Sequence, residues 1–225
     1  MKYYKFVFPL SRKVFGTIPN YLWDEESPLV NYENEEYTNS FLYFHLLKGK
    51  EKNVIIPKFK AKSKASKTTN LLCSTTFNDL VIDYKLKKII ENYSSFGMIY
   101  YDTFFRTLEN KKLPYWLIKP IKEGLEFIDY KNTTFVEKPE EYNSVTWKYY
   151  KFNNALEYID FEKNNKVLLK KENLIVAESC NCDFWGLMNV FNRPVGYIVS
   201  EKLREKIEQE NLTGISFLDF NTKWP

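Results

Sequence analysis

The sequence predicts an α+β fold of mixed, strand-rich sheets with a few short helices, arranged as two related halves. Residues 197–220 have the pattern of a strand, a short helix and a second strand. Residues 81–100 repeat that pattern without a gap, at a separation of 117 positions. In this alignment Asp83 matches Ser200, and both residue types favour the N-cap of a helix. A unit that occurs twice indicates that the two halves share one design.

The helix of each unit has one apolar face and a closing glycine. A leucine and an isoleucine stand four positions apart, as on one face of a helix, and the glycine follows where a left-handed backbone is expected. The matched positions are Leu86, Ile90 and Gly97 in the first unit and Leu203, Ile207 and Gly214 in the second. We assign these residues to folding and not to function.

The rest of the chain is predicted mainly as short strands, because it is rich in β-branched and aromatic residues. Strands are expected at residues 2–8, 53–59, 100–105 and 115–118, and a strand or short helix is expected at residues 167–176. Residues 10–28 are expected to be irregular, and residues 41–47 are a buried strand or helix segment. The groups FIDY at Phe127 and YIDF at Tyr158 predict two hairpin edges.

The chain is expected to form one domain over residues 1–225, with halves 1–138 and 139–225. The charged stretch at residues 137–141 is the best candidate for a boundary between them, although a surface loop of a single domain would have the same composition. A composition of 44% hydrophobic and 28% charged residues is ordinary for a globular protein. The aromatic content of 18% indicates a large aromatic core and leaves Tyr and Trp for a binding face.

The sequence favours a cytoplasmic protein. The apolar run near the start is interrupted by Arg12 and Lys13, which is unlike a signal peptide, and no segment has the length of a membrane-spanning helix. Cys73, Cys180 and Cys182 are an odd number of cysteines in a chain with no export signal, which favours a reducing compartment. We expect no membrane partner.

An acidic, aromatic stretch at residues 23–37 has two readings. It carries six acids and no Lys or Arg, and such a stretch is often a solvated loop. It is also suited to bind a basic partner, because charge speeds encounter and aromatic anchors hold the complex. The candidate partner contacts are Trp23, Asp24, Glu25, Glu26, Tyr32, Glu35 and Glu36.

A lysine-rich stretch at residues 58–67 supports an alternative function. Its five lysines are Lys58, Lys60, Lys62, Lys64 and Lys67. Such a run is usually a solvated loop, but it also fits a nucleic-acid-associated binding module that contacts phosphates. The net charge of +4 is too small to favour this reading, and Phe59 is the only aromatic residue within the run.

The sequence shows no pattern that indicates an enzyme. Its one histidine, His45, lies within an apolar run, where a packed core histidine is more common than a catalytic base. Asp129 and Asp160 occur in matching contexts, but an aspartate after an apolar residue commonly accepts backbone N–H groups in a turn. The three cysteines lack the spacing of a zinc site, and no glycine-rich turn indicates a nucleotide. We expect no catalytic residue, cofactor or metal.

Several segments, taken in order, resemble a known class of proteins. They are KFKAKSKASK, VIDYKLKKIIENYSSFGMIYY, a strand with Tyr-Trp, IDYKNTTF and YIVSEKLREKIEQENLTGISF. This order resembles the immunity proteins of bacterial polymorphic-toxin systems, in particular the families numbered forty-three and eleven. The resemblance runs from about Lys58 to Phe220 and is best in the closing unit. The first fifty residues show no such resemblance.

The resemblance implies a non-catalytic cytoplasmic protein that binds the C-terminal domain of its cognate toxin and blocks it. It carries no catalytic residue or interface motif over to this chain. Asp83 stands where the family pattern has a serine cap, which is a mild departure because aspartate caps helices equally well.

Overall fold

The computed structural model has an α+β fold with mixed, strand-rich sheets and a few short helices, which confirms the predicted fold class. The residues that the structure describes are 1–7, 9, 12–15, 21–26, 56–72, 80–137, 147–167, 169–188 and 194–219. The predictions for residues 41–47 and for most of the boundary at 137–141 lie outside this set.

Strands dominate the described residues. They are β1 (Tyr3–Val7), β2 (Tyr21–Trp23), β3 (Phe59–Ala61), β4 (Leu80–Asp83), β5 (Ser95–Phe96), β6 (Met98–Arg106), β7 (Lys112–Pro120), β8 (Thr134–Glu137), β9 (Lys148–Tyr150), β10 (Leu169–Asn173), β11 (Phe184–Met188), β12 (Pro194–Ser200) and β13 (Ser216–Asp219). The helices are α1 (Arg12–Phe15), α2 (Tyr84–Glu91), α3 (Ala155–Asn165) and α4 (Glu201–Gln209). No described helix combines the length and the apolar character that crossing a membrane requires.

The strands form three sheets. One five-stranded sheet has the order β13-β1-β12-β11-β5, and the other has the order β2-β3-β6-β7-β4. A three-stranded sheet has the order β10-β8-β9. β5 pairs in parallel with β11, and β3 pairs in parallel with β6. The other pairs are antiparallel.

Both strand-helix-strand units are present, and each encloses a third strand. In the first unit α2, followed by the short strand β5, connects β4 to β6, and β7 lies between β4 and β6 in the sheet. In the second unit α4 connects β12 to β13, and β1 lies between them. The enclosed strand therefore comes from the following hairpin in one unit and from the start of the chain in the other.

The two units share their strand register as well as their topology. Trp116 of β7 lies opposite Asp102 of β6, and Tyr4 of β1 lies opposite Asp219 of β13. Asp102 and Asp219 are separated by 117 positions, the separation that relates the two units in the sequence. The duplication thus extends beyond the residues that reveal it in the sequence.

Each helix begins at the cap that the matched positions predict, but neither glycine ends its helix: α2 ends at Glu91 and α4 ends at Gln209, and the glycines instead lie just before β6 and β13. The Asp83 carboxylate accepts a hydrogen bond from the backbone N–H of Leu86 at 2.9 Å, and the Ser200 hydroxyl accepts one from Leu203 at 3.2 Å. Gly97 and Gly214 have φ angles of +60° and +84°, in the left-handed region that favours glycine. Gly97 also marks the point where the chain leaves β5 in one sheet and enters β6 in the other.

The apolar faces of both helices share one core. Leu86 and Ile90 of α2 and Leu203 and Ile207 of α4 are each 2% exposed or less. The strands of both five-stranded sheets contribute Tyr4, Phe6, Ile82, Ile118, Tyr197 and Val199 to the same cluster. The two units therefore pack through a common interior.

Two further clusters fill the remaining interior with aromatic residues. One joins α3 to the three-stranded sheet and β11 through Phe135, Phe152, Tyr158 and Trp185. The other lies where β2 and β3 meet β6 and β7, and it contains Tyr21, Phe59, Phe105 and Tyr115. These clusters place part of the aromatic content of the sequence in the core.

The prediction of a hairpin edge at Tyr158 is wrong, because that residue lies within α3. Asn154 caps this helix by accepting a hydrogen bond from the backbone N–H of Glu157 at 3.0 Å. Tyr158 and Glu162 then point together into the core, four positions apart. The matching group at Phe127 instead ends a 3-10 turn, so similar letters adopt different structures.

Two other local predictions also differ from the structure. Of the strand expected at residues 53–59, residues 53–55 lie outside the described residues, and residues 56–58 precede β3, which begins at Phe59. The irregular region expected at residues 10–28 contains α1 and β2.

Strands from both sides of residue 138 share sheets, since β8 pairs with β9 and β10, and β1 pairs with β12 and β13. The division into halves 1–138 and 139–225 stays a prediction.

Candidate interaction surface

The acidic segment begins as a tight turn directly after β2. The backbone N–H of Asp24 donates to the carbonyl oxygen of Lys58 at 2.9 Å. The Asp24 carboxylate accepts a hydrogen bond from the backbone N–H of Glu26 at 2.9 Å, as aspartates in turns commonly do. The turn therefore holds its acidic side chains close to β3.

A row of three cations crosses the strands beside this turn. Lys60 of β3 lies opposite Arg106 of β6, which in turn lies opposite Lys112 of β7. Like charges that face each other on adjacent strands repel. The acidic turn supplies carboxylates that offset this repulsion.

Each acid of the turn is matched with a cation of the row. Arg106 donates to both carboxylate oxygens of Asp24, from Nε at 2.6 Å and from Nη2 at 3.0 Å. Lys112 Nζ donates to Glu26 at 2.7 Å, and Lys60 forms an ion pair with Glu25. Burial raises the pKa of Asp24, but the hydrogen bonds from Arg106 and from the Glu26 backbone outweigh it and lower that pKa. The three carboxylates thus form a balanced network with the three cations.

This network bears on the partner contacts predicted from the sequence. Asp24 is fully buried, whereas Glu25 and Glu26 are exposed and paired with lysines. Trp23 ends β2. The other predicted contacts, Tyr32, Glu35 and Glu36, lie outside the described residues. The charges of residues 24–26 have a structural partner within the chain, and a role of the segment in binding stays a prediction.

The lysine-rich stretch is partly engaged by the protein itself. Lys58 Nζ lies 5.3 Å from the centre of the Phe104 ring, and Lys67 Nζ donates to the carbonyl oxygen of Lys13 at 2.8 Å. Lys60 belongs to the cation row, whereas Lys62 and Lys64 are exposed. Three of these five lysines therefore have contacts within the chain.

An exposed aromatic and basic patch lies at the start of α2. We call it the α2 ridge and define it as Tyr84, Lys87, Lys88 and Trp116. Tyr84 is 56% exposed, and its ring lies 6.1 Å from the half-buried ring of Trp116. Lys87 Nζ lies 5.1 Å from the centre of the Trp116 ring, and Lys88 Nζ lies 5.5 Å from that of Tyr84. These cation–π contacts favour a fixed arrangement of the two rings.

A second group of exposed aromatic residues lies at β9. Trp147 is 45% exposed and Tyr149 is 61% exposed, and alternate residues of a strand share one side. Tyr149 lies opposite Val136 of β8, and no other described strand pairs with β9. Leu156, at the start of α3, is 73% exposed. This edge also presents apolar side chains on regular structure.

The two aspartates considered for catalysis lie on different segments of the structure. The Asp129 carboxylate accepts hydrogen bonds from the backbone N–H and the side-chain amide of Asn132, at 3.2 and 2.6 Å, and these lower its pKa. Asp129 thus has the turn-capping arrangement that the sequence allows, and Asp160 lies in the middle of α3. His45 and Cys73 lie outside the described residues. Cys180 and Cys182 are free thiols in the core.

A buried polar cluster links α3 to β10, and sequence reasoning missed it. Glu162 accepts a hydrogen bond from the backbone N–H of Leu169 at 2.6 Å, and Lys171 Nζ donates to the Tyr158 hydroxyl at 2.9 Å. Burial lowers the pKa of Lys171 to about 8, although the nearby Glu162 opposes this change. The four-residue spacing of Tyr158 and Glu162 would have revealed the cluster only once the helix was known.

A second buried carboxylate connects the two units. Asp183 accepts hydrogen bonds from the Ser200 hydroxyl at 2.6 Å and from the Ser94 hydroxyl at 3.0 Å. Ser200 caps α4, and Ser94 follows α2. We interpret Asp183 as a structural residue, because its partners are both fixed by the repeated unit.

Comparisons with known proteins add no assignment. No protein-family model matches the sequence, and no curated protein matches it either. Within the described residues, no group of three or more His, Cys, Asp and Glu side chains is arranged to hold a metal ion.

Proposed function

We propose that this protein is an immunity protein that binds the C-terminal domain of a cognate bacterial toxin in the cytoplasm and neutralises it by occlusion. It acts by covering a surface of the toxin and does not transform a substrate. No cofactor takes part in this activity. The proposal agrees with the resemblance of residues 58–220 to such proteins in the order of their segments.

The observation that carries the proposal is the exposure of large aromatic residues on regular structure. Tyr84 stands on α2, Tyr149 stands on β9, and Trp147 directly precedes β9. Tyrosine and tryptophan are enriched among the residues that contribute most of the binding energy at protein interfaces. The placement of Tyr84 on α2 and of Tyr149 on β9 also reduces the conformational entropy lost on binding.

Occlusion sets a requirement on the size of the contact. A stable protein–protein interface buries roughly 1,600 Å² in total, so one exposed aromatic cluster must be the centre of a wider contact. The surrounding contact excludes water from the anchors and sets the specificity for one toxin. Inhibition then follows from blocking the toxin's access to its target.

Co-expression tests this proposal directly. The C-terminal domain of the toxin encoded beside this gene is expressed in bacteria with or without this protein, and survival is measured. We expect the protein to restore growth and to form a stable complex with that domain on size-exclusion chromatography. A toxin domain from an unrelated locus is the control, and it should remain lethal because the contact is specific.

Two outcomes would reject the proposal. One is that the neighbouring toxin domain stays lethal and unbound when this protein is present. The other is that the purified protein binds nucleic acid at micromolar concentration or tighter and loses that binding when Lys58, Lys60, Lys62, Lys64 and Lys67 are replaced, which would favour the nucleic-acid alternative.

A further inference from the structure

The two strand-helix-strand units provide an internal comparison for the α2 ridge. Tyr84 and Lys88 of the first unit correspond to Glu201 and Glu205 of the second, 117 positions later. Both helices begin directly after an N-cap residue, and both bury matched apolar positions in the same core. The same architecture is therefore built once with two acids and once with an aromatic residue and a lysine at these surface positions.

The aromatic residue beneath each helix also differs in exposure. Trp116 of β7 and Tyr4 of β1 occupy the same place in their units, and each lies under a cation of the helix. Tyr4 is only 5% exposed, because Arg204 covers its ring at 4.1 Å and Glu201 accepts a hydrogen bond from its hydroxyl. Trp116 remains half-buried beside the exposed Tyr84. The fold thus allows this position to be covered completely, and the first unit covers it only in part.

Charge separates the two helices as well. The eight residues of α2 carry three lysines and one glutamate, whereas residues 201–208 carry three basic and three acidic side chains. Lys85 pairs with Glu210, and Lys87 pairs with Glu91. Lys88 forms no ion pair with a described residue. The α2 ridge therefore combines apolar rings with an excess of positive charge.

We propose that the α2 ridge is a docking surface for an acidic surface of the cognate toxin domain. Tyr84 and Trp116 are the apolar anchors, and Lys88 meets a carboxylate of the partner. A ring pair held by cation–π contacts is ordered before binding, so little conformational freedom is lost when the complex forms. Complementary charge speeds the encounter and selects the partner. This inference rests on the proposed immunity function and names the surface that performs it.

A double variant, Tyr84→Glu with Lys88→Glu, tests the docking surface. It gives α2 the residues that the second unit already carries at the matching positions, so the fold accommodates them. Binding to a catalytically inactivated form of the neighbouring toxin domain is measured by surface plasmon resonance across a salt series. We expect the dissociation constant to rise about thirtyfold or more, with slower association at low salt.

A matched control variant makes the same change in charge elsewhere. Leu108→Glu with Lys111→Glu replaces one exposed apolar residue and one exposed lysine at the turn between β6 and β7. It should bind the toxin domain like the wild type. The variant Tyr84→Ala with Lys88→Ala should weaken binding without adding negative charge, and circular dichroism and thermal melting should show that all three variants fold.

The outcomes separate this inference from the proposed function. If the wild type protects cells and binds the toxin domain, and the Tyr84→Glu, Lys88→Glu variant does so equally well, the α2 ridge is not the docking surface although the function stands. If the wild type neither binds nor protects, the proposed function fails and this inference fails with it. Self-association of the free protein that the same variant abolishes would assign the ridge to a second copy of the chain and overturn toxin docking.

Discussion

Single residues of this protein show how a charge that suggests binding can have a structural role. Asp24 is part of an acidic stretch that resembles a partner surface in the sequence. In the structure it is fully buried and receives two hydrogen bonds from Arg106. The register of β3, β6 and β7 places three cations together, and the carboxylates of the turn neutralise them. A segment's composition alone does not reveal such a network, because its partners are distant in sequence.

The Asp24–Arg106 pair leads to a prediction about pH-dependent stability. Since folding lowers the pKa of Asp24 below its ordinary value of 3.8, the pair stabilises the native state above that pH. This contribution is lost as the pH falls through the acid range toward the pKa of the folded state. We expect Asp24→Asn to lower the free energy of unfolding at pH 7 by about 2 kcal/mol, between the effects of exposed and buried pairs.

Urea unfolding of wild type and Asp24→Asn over a range of pH checks this prediction. The difference in the free energy of unfolding should be largest at neutral pH and should shrink between about pH 5 and pH 2. Glu25→Gln is the control, because that exposed acid should contribute little to stability. Equal stability of wild type and Asp24→Asn at pH 7, or a difference that does not change with pH, would contradict the role of the pair.

The helix N-caps show how far one residue follows from its local sequence. Asp83 and Ser200 both cap a helix, as the sequence predicts, but their other partners differ. Asp83 accepts a hydrogen bond from Asn70 at 2.7 Å, whereas the Ser200 hydroxyl donates one to Asp183 at 2.6 Å. A carboxylate at position 200 would face that of Asp183, so a hydroxyl suits this position. The choice between serine and aspartate thus depends on contacts across the fold.

At the level of elements, the repeated unit has a simple geometric basis. Neighbouring strands lie about 4.8 Å apart, so two strands separated by a third are about as far apart as a helix is wide. A helix that connects them therefore covers the enclosed strand. In both units a basic residue of the helix, Lys87 or Arg204, lies over the aromatic ring of that strand. The common core of α2 and α4 then joins the two units.

The local parts of these units were predictable and the distant parts were not. Helix caps and apolar residues four positions apart act within a few residues, so Asp83, Leu86 and Ile90 reveal the first helix in the sequence. The enclosed strand β1 joins β12 and β13 through pairing between distant parts of the chain, which no local pattern records. The groups at Phe127 and Tyr158 share their letters, yet Asn154 starts a helix at the second. The helix N-cap at Asn154 therefore decides the structure at Tyr158, and the similarity of two four-residue groups does not.

Gly97 and Gly214, which lie just before β6 and β13, lead to a prediction about the strand-helix-strand units. Both have positive φ angles, so alanine is strained at either position. At Gly214 a Cβ atom would lie 2.5 Å from the carbonyl oxygen of Leu71, and at Gly97 it would lie 2.6 Å from the side chain of Lys122. We expect Gly214→Ala to cost about 3 kcal/mol and Gly97→Ala about 2 kcal/mol, because a side chain can move more readily than a backbone.

Chemical denaturation of the two glycine variants measures this order. Gly196→Ala is the control, since a Cβ atom there would meet nothing within 4 Å. It should unfold with nearly the free energy of the wild type. A Gly214→Ala protein as stable as this control would show that the left-handed turn before β13 is not required.

For the whole molecule, the docking surface that we propose, the α2 ridge, could not be located from the sequence, although three of its four residues lie in a predicted helix. Tyr84 and Lys88 belong to the aligned unit, and their difference from Glu201 and Glu205 is visible in the sequence. The contact of Tyr84 with Trp116 depends on β7. This strand pairs with β4 but follows it in the chain by about thirty residues. A comparison of the two units position by position would have pointed to α2. Only the fold shows that Tyr84 of this helix is exposed.

The fold also makes the two ends of the described chain interdependent, which leads to a last prediction. β1 lies between β12 and β13, and Tyr4 and Phe6 bury their side chains in the core shared by both units. Removal of residues 1–7 would leave two facing strand edges unpaired and a gap in that core. We expect the shortened protein to show no cooperative thermal transition by circular dichroism.

A circular permutant that carries residues 1–7 after residue 225, through a glycine-rich linker, is the matched comparison. It should melt cooperatively, because β1 is antiparallel to β13 and a hairpin connection already joins β6 to β7 in the first unit. If the shortened protein melts like the wild type, β1 is dispensable for folding. If the circular permutant fails to fold, the second unit requires that β1 precede the rest of the chain.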